Sequence, residues 1–201
     1  MNFLAHLCLA SSDPNLMLGG MLGDFVRGRR ALKAFPEPVR QGILLHRYID
    51  RCTDHSSEVK KLRSGFPREF RRYSGIIIDL AFDHELAVNW WRYMPQSLER
   101  FDVEARDLVR DNIELMPDRL MSFMRYADRH GLFTSYREED TVLYSLAGIG
   151  TRLSRSNPLH KVAEIWPQFA PRFRASFKQF FPQIQSEVAD WCTRMSTTTG
   201  S

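Results

Sequence analysis

Helical spacing dominates this chain. Apolar residues recur every three or four positions along most of its length, with neither sustained apolar–polar alternation nor an Asn-Gly or Asp-Gly hairpin signal. The pattern predicts an all-α fold, with breaks at prolines that include Pro167, Pro171 and Pro182. With 201 residues and no repeat or linker, residues 1–195 are predicted to form a single-domain helical bundle, and residues 196–201 a flexible tail.

Composition excludes several classes of protein. The chain is 43% hydrophobic and 26% charged, which is typical of a packed domain and not of a disordered one. Its apolar runs are far shorter than the roughly 18 residues that span a membrane, and its opening segment lacks the basic region of a signal peptide. Three cysteines without close spacing favour a reducing compartment. We therefore expect a cytoplasmic protein that does not associate with membranes.

One predicted helix carries a histidine and an aspartate one turn apart. It runs from Glu37 to Thr53, and its residues Val39, Ile43, His46 and Asp50 share one stripe. Since other sides of this helix are also apolar, we expect it to lie in the middle of the domain. His46 and Asp50 would then be an internal polar pair.

A second predicted helix, from Ser74 to Met94, places two carboxylates in an apolar stripe. The stripe has 3, 4, 3, 4 spacing: Ile76, Asp79, Asp83, Leu86 and Trp90. A buried carboxylate costs several kcal/mol unless it is paired with a cation or densely hydrogen-bonded. An arginine or a metal ion facing this seam would meet that requirement.

Histidine and aspartate together are typical ligands for a divalent ion, and metal-binding helical bundles assemble such groups from facing helices. The unusual polar positions are His6, Asp24, His46, Asp50, Asp54, Asp79, Asp83 and His84. A network without metal, in which Arg27, Arg47 or Arg51 neutralises the aspartates, is the competing interpretation. Arginines far outnumber lysines in the chain, which fits that network and also fits an acidic or phosphorylated partner.

Four segments resemble the acyl carrier protein phosphodiesterases. They are NFLAHL at residues 2–7, GDFVRG at 23–28, HRYID with TD at 46–54, and LAFDHEL with its Asp83-His84 pair. The resemblance implies an all-helical fold of the HD-phosphohydrolase type. It also implies a metal-dependent enzyme, with Mn²⁺ favoured and Mg²⁺, Fe²⁺ or Zn²⁺ as alternatives, that removes the 4′-phosphopantetheine arm from holo-acyl carrier protein.

Carried over residue by residue, the resemblance implies a metal site. Its predicted ligands are Asp24, His46, Asp50, Asp83 and His84. We expect His84 to act as a ligand or proton carrier, Asp79 to orient a ligand or water, and His6 to protonate the departing serine oxygen. Arg27 and Arg47 are the predicted phosphate contacts.

Acyl carrier proteins are small and strongly acidic, so a basic patch including Arg29, Arg30, Arg71 and Arg72 is predicted to dock the partner. Two other functions stay open at this point. One is an HD-type hydrolase of a nucleotide or other small phosphoester, and the other is a helical adaptor for an acidic protein. No recognised nucleic-acid-binding motif is present, so no nucleic-acid partner is expected.

Overall fold

The fold is all-α, as predicted. A computed structural model describes residues 3–130 and 133–199, and this part of the chain contains no strand. Short 3-10 turns join several of its helices. The helices are α1 (Phe3–Leu9), α2 (Pro14–Leu22), α3 (Gly28–Leu32), α4 (Glu37–His55), α5 (Ser57–Gly65), α6 (Ser74–Val88), α7 (Leu98–Asp111), α8 (Asp118–His130), α9 (Glu139–Arg152) and α10 (Val162–Thr199).

The closest helix packing joins α2 and α4. Asp13 caps α2, because its carboxylate accepts the backbone N–H groups of Asn15 and Leu16. Gly19 and Gly42 face each other where the helices cross, and a Cβ on Gly42 would lie 2.8 Å from Gly19 Cα. Glycine is therefore needed at this crossing, which brings the two backbones together and sets how α4 lies against α2.

Helix α4 confirms the predicted central helix, with Val39, Ile43, Leu45 and Ile49 buried. Helix α6 is shorter than the predicted helix, because it ends at Val88 and a 3-10 turn follows. The Asn89 side chain donates to Glu85 O at 2.8 Å and helps to end the helix. The indole N–H of Trp90 donates to Gln96 O, which draws the chain away from the helix axis.

The breaks predicted at Pro167, Pro171 and Pro182 are wrong, since all three residues lie within the 38-residue helix α10. They lie on its exposed side, where the lost hydrogen bonds are open to water. The opposite side buries an aromatic stripe: Trp166, Phe169, Phe173, Phe177, Phe180 and Phe181. Each fully buried aromatic side chain contributes about 1.5–3 kcal/mol, so burial outweighs the local cost of proline.

The α10 backbone continues through part of the predicted tail, to Thr199, so a flexible tail over 196–201 stays a prediction, as does the HD-type assignment. All three cysteines, Cys8, Cys52 and Cys192, are free. In the described part of the chain, no helix has the length and apolar character needed to cross a membrane.

Candidate metal centre

Two histidines and one aspartate converge between α1 and α4. His6 Nε2 lies 3.1 Å from Asp50 Oδ1, and His46 Nε2 lies 3.2 Å from Asp50 Oδ2. The two imidazole rings stack with centroids 3.8 Å apart. One donor atom from each of the three residues falls within 4.8 Å of the others, an arrangement that can hold a metal ion. The predicted pairing of His46 with Asp50 is present, and His6 joins it from a separate helix.

The surroundings of His46 fix its ring and its tautomer. His46 Nδ1 lies 2.9 Å from the carbonyl oxygen of Gly20 and donates to it, so Nε2 is the nitrogen that can lose its proton and offer a lone pair to a metal ion. Gly23 lies against the ring so closely that a Cβ at this position would overlap the imidazole. Gly20, near the end of α2, thus supplies a carbonyl that orients the ring, and Gly23, just after α2, leaves space for the ring.

Asp24 brings a second carboxylate to His46. Its Oδ1 lies 3.5 Å from His46 Nε2, and its side chain is 56% exposed. Asp50 is 43% exposed, whereas His6 and His46 are almost fully buried. The site therefore has imidazoles at its back and carboxylates at its solvent-facing side.

The charges of the cluster are unevenly distributed between the two imidazoles. Burial and the neighbouring His46 lower the pKa of His6 to about 4. Burial also opposes protonation of His46, but Asp24 and Asp50 outweigh it and raise the pKa of His46 to about 9. Although burial acts against ionisation of Asp50, hydrogen bonds from both imidazoles hold its pKa well below the usual value. At neutral pH without metal, His6 is therefore neutral and His46 carries the proton.

The structure places Asp83 outside this cluster. Both of its carboxylate oxygens accept backbone N–H groups of α1, from Leu4 at 2.9 Å and from Ala5 at 3.1 Å. The side chain is fully buried, and burial raises its pKa to about 7 despite these hydrogen bonds. The predicted need for a positive partner is met by the N-terminus of a helix. Asp83 thus fixes α1, the helix that carries His6.

Other predicted residues also lie apart from the donor group. His84 Nδ1 donates to Tyr136 O at 2.8 Å, and the ring packs edge-on against Trp166. Asp79 is half-buried on α6, the helix that holds Asp83. Asp54 forms an ion pair with Arg63. Among the described residues, the potential metal-binding group consists of His6, His46 and Asp50.

Two arginines of the competing interpretation, Arg47 and Arg51, have other contacts. Arg47 Nη2 donates to Val26 O at 2.7 Å and to Gly28 O at 3.3 Å, so it holds the loop that contains Asp24. The Arg51 guanidinium lies over the Tyr48 ring. The third, Arg27, is exposed at the start of α3. Arg71, part of the predicted docking patch, donates through Nε to Phe66 O on another surface turn. The sequence does not reveal three features of the site. They are the Gly20 carbonyl that orients His46, the space that Gly23 leaves for the His46 ring, and the capping of α1 by Asp83.

Similarity to known proteins extends over nearly the whole chain. The family model described as acyl carrier protein phosphodiesterase matches residues 1–184. A Serratia proteamaculans protein with that name is 33% identical over 192 residues, covering 94% of this chain and 98% of the relative. Its namesake from Pectobacterium atrosepticum is 33% identical over 185 residues, covering 92% of this chain and 95% of the relative. No solved structure is significantly similar.

Proposed function

Because the chain belongs to the acyl carrier protein phosphodiesterase family, we propose that it hydrolyses the phosphodiester joining 4′-phosphopantetheine to a serine of holo-acyl carrier protein. The products would be apo-acyl carrier protein and 4′-phosphopantetheine, formed in the cytoplasm. The observation that supports this proposal is the cluster of His6, His46 and Asp50 between α1 and α4, with buried imidazoles and a carboxylate open to solvent.

The donor set fits a divalent ion. His46 presents Nε2 because its other nitrogen donates to Gly20 O, and Asp50 bridges toward both imidazoles. A bound ion would polarise the phosphoryl oxygen and lower the pKa of an attacking water. We propose His6, His46 and Asp50 as ligands, with Asp24 completing the set, and Mn²⁺ as the favoured ion.

The surrounding residues have distinct proposed roles. His6 is neutral near pH 7, so a ligand role suits it better than the predicted role of proton donor to the serine oxygen. Arg27, exposed three residues after Asp24, is our candidate contact for the phosphodiester. Arg47 positions the loop through Val26 and Gly28. Asp83 and His84 are left out of the proposed ligand set because other groups engage their side chains.

The test is intact-mass analysis of holo-acyl carrier protein incubated with the enzyme and Mn²⁺. We expect a product lighter by one phosphopantetheine, and we expect a chelator to stop its formation. His46→Ala and Asp50→Ala should abolish turnover while circular dichroism shows an intact helical fold.

His55→Ala is the matched control. His55 lies on the same helix, is exposed, and donates to Arg51 O, so its removal should leave turnover intact. An unchanged holo mass with metal-loaded enzyme would refute the proposal. Hydrolysis of a small chromogenic diester combined with indifference to carrier protein would instead support the small-phosphoester alternative.

A further inference from the structure

Three cationic side chains on one short segment have no partner within the described part of the chain. Arg29, Arg30 and Lys33 are exposed, and none forms an ion pair or a hydrogen bond through its side chain there. The sequence has no acidic residue between Asp24 and Glu37. We refer to Arg27–Lys33 as the α3 segment. Its positive charge is not neutralised locally.

Several arginines elsewhere on the surface differ in this respect, because they form ion pairs. Examples are the pairs of Arg63 with Asp54, Arg100 with Glu104, Arg110 with Asp107, and Arg137 with Glu99. In each of these ion pairs the two charges largely cancel, so the pair contributes little electrostatic potential that could attract a partner protein. Arg29, Arg30 and Lys33 lie within five residues of sequence with no acidic side chain of the described residues paired to them, so the α3 segment is a concentrated source of positive potential on this face.

The α3 segment is attached to the edge of the candidate metal centre. Arg47 lies next to His46 on α4 and holds the Val26 and Gly28 carbonyls. Asp24, at the other end of the same loop, reaches His46. Gly28 has a φ of +77°, a left-handed conformation that turns the chain into α3. Arg29, Arg30 and Lys33 thus lie within nine residues of Asp24 in the sequence.

Apolar contacts hold α3 in place without using its cations. Ala31, Leu32 and Phe35 are partly buried against the core, and Phe25 packs against the ring of Phe3 with centroids 6.4 Å apart. The inner side of the segment is therefore anchored. Its outer side carries Arg29, Arg30 and Lys33 into solvent.

We propose that the α3 segment is the docking surface for an acidic face of the carrier protein. This inference rests on the proposed function. The bond to be broken joins phosphate to a serine on the substrate protein itself, so that protein's surface must come against the edge of the metal centre. Docking contacts must consequently lie beside the site, where the α3 segment meets the approaching acidic groups with unpaired positive charge.

The test compares two triple variants that remove the same charge. Arg29→Gln, Arg30→Gln and Lys33→Gln change the α3 segment. Arg152→Gln, Arg155→Gln and Lys161→Gln change three exposed cations at the end of α9 and the turn after it. Steady-state kinetics with holo-acyl carrier protein are measured at low and at moderate salt.

Removing the α3 charges should raise KM for carrier protein about tenfold at low salt and reduce the salt dependence of kcat/KM, with a smaller effect on kcat. The α9 triple variant should retain the wild-type KM. Equal KM changes in both triples, or an unchanged KM in the α3 triple, would overturn the docking proposal while an active wild type upholds the hydrolase proposal. Inactivity of the wild-type enzyme would refute both. Binding of a DNA duplex through α3, with an unchanged carrier-protein KM, would also overturn the docking proposal.

Discussion

Replacing Asp83 with asparagine should change how the stability of this fold depends on pH. Asp83 is fully buried and accepts the backbone N–H groups of Leu4 and Ala5 at the start of α1. Burial raises its pKa from 3.8 to about 7. Between these two values the folded protein holds a proton that the unfolded chain releases, so the free energy of unfolding falls as the pH rises.

The size of the effect follows from the pKa shift. A difference of about 3 between the pKa of Asp83 in the folded and in the unfolded chain corresponds to about 4 kcal/mol of unfolding free energy over the full titration. Between about pH 5 and about pH 8, the wild type should lose about 3 kcal/mol of this contribution. Asparagine does not titrate, so the unfolding free energy of Asp83→Asn should not show this loss. The altered cap would change the unfolding free energy of the variant by the same amount at every pH.

The assay is urea unfolding of the metal-free protein, followed by circular dichroism at several pH values. The quantity of interest is the difference in unfolding free energy between wild type and Asp83→Asn. Asp111→Asn, at the exposed end of α7, is a control for removal of a carboxylate. If wild type and Asp83→Asn show parallel pH profiles, the buried carboxylate does not titrate as described.

Two further predictions concern the candidate metal centre. Gly23→Ala forces a methyl group into the His46 ring and should lower Mn²⁺ affinity, measured by calorimetry, about 10- to 100-fold. The control is Gly148→Ala, which should bind Mn²⁺ like wild type because a Cβ at this position meets no atom within 4 Å. Equal Mn²⁺ affinities of the two variants would contradict the packing argument. Because the pKa of His46 is raised to about 9 and that of His6 is lowered to about 4, Mn²⁺ must displace the His46 proton, and its affinity should rise about tenfold per pH unit between about pH 6 and about pH 8. Calorimetry in buffers of different ionisation enthalpy should detect close to one proton released, and release of none would refute this assignment.

Local spacing was sufficient to predict part of the site. His46 and Asp50 lie one turn apart on a helix whose other residues are apolar, so their proximity depends only on helix geometry. The same periodicity predicted the start and nearly the full extent of α4. These features could be predicted because each is determined within about 20 residues of chain.

Contacts between distant segments account for what the sequence interpretation missed. Asp79 and Asp83 also lie one turn apart on one stripe of a helix. Asp83, however, accepts the N–H groups of Leu4 and Ala5, which are separated from it by 79 and 78 positions in the sequence. No spacing rule reveals that a helix N-terminus meets this carboxylate. The breaks predicted at the prolines of α10 are wrong for a similar reason, because helix propensity describes the local cost of proline and not the aromatic face whose burial offsets that cost.

Burial separates the roles of chemically identical side chains in this fold. Asp83 and Asp50 are both aspartates on helices that pack near α1, but Asp83 is sealed from solvent while Asp50 is 43% exposed. A carboxylate without access to solvent can fix backbone, and one at an open edge can reach an ion or a substrate. We therefore propose that a phosphodiester approaches from the side on which the carboxylates of Asp24 and Asp50 are open to solvent. The α3 segment follows Asp24 along the chain, which is why we infer that charge attraction and chemistry act on the same face.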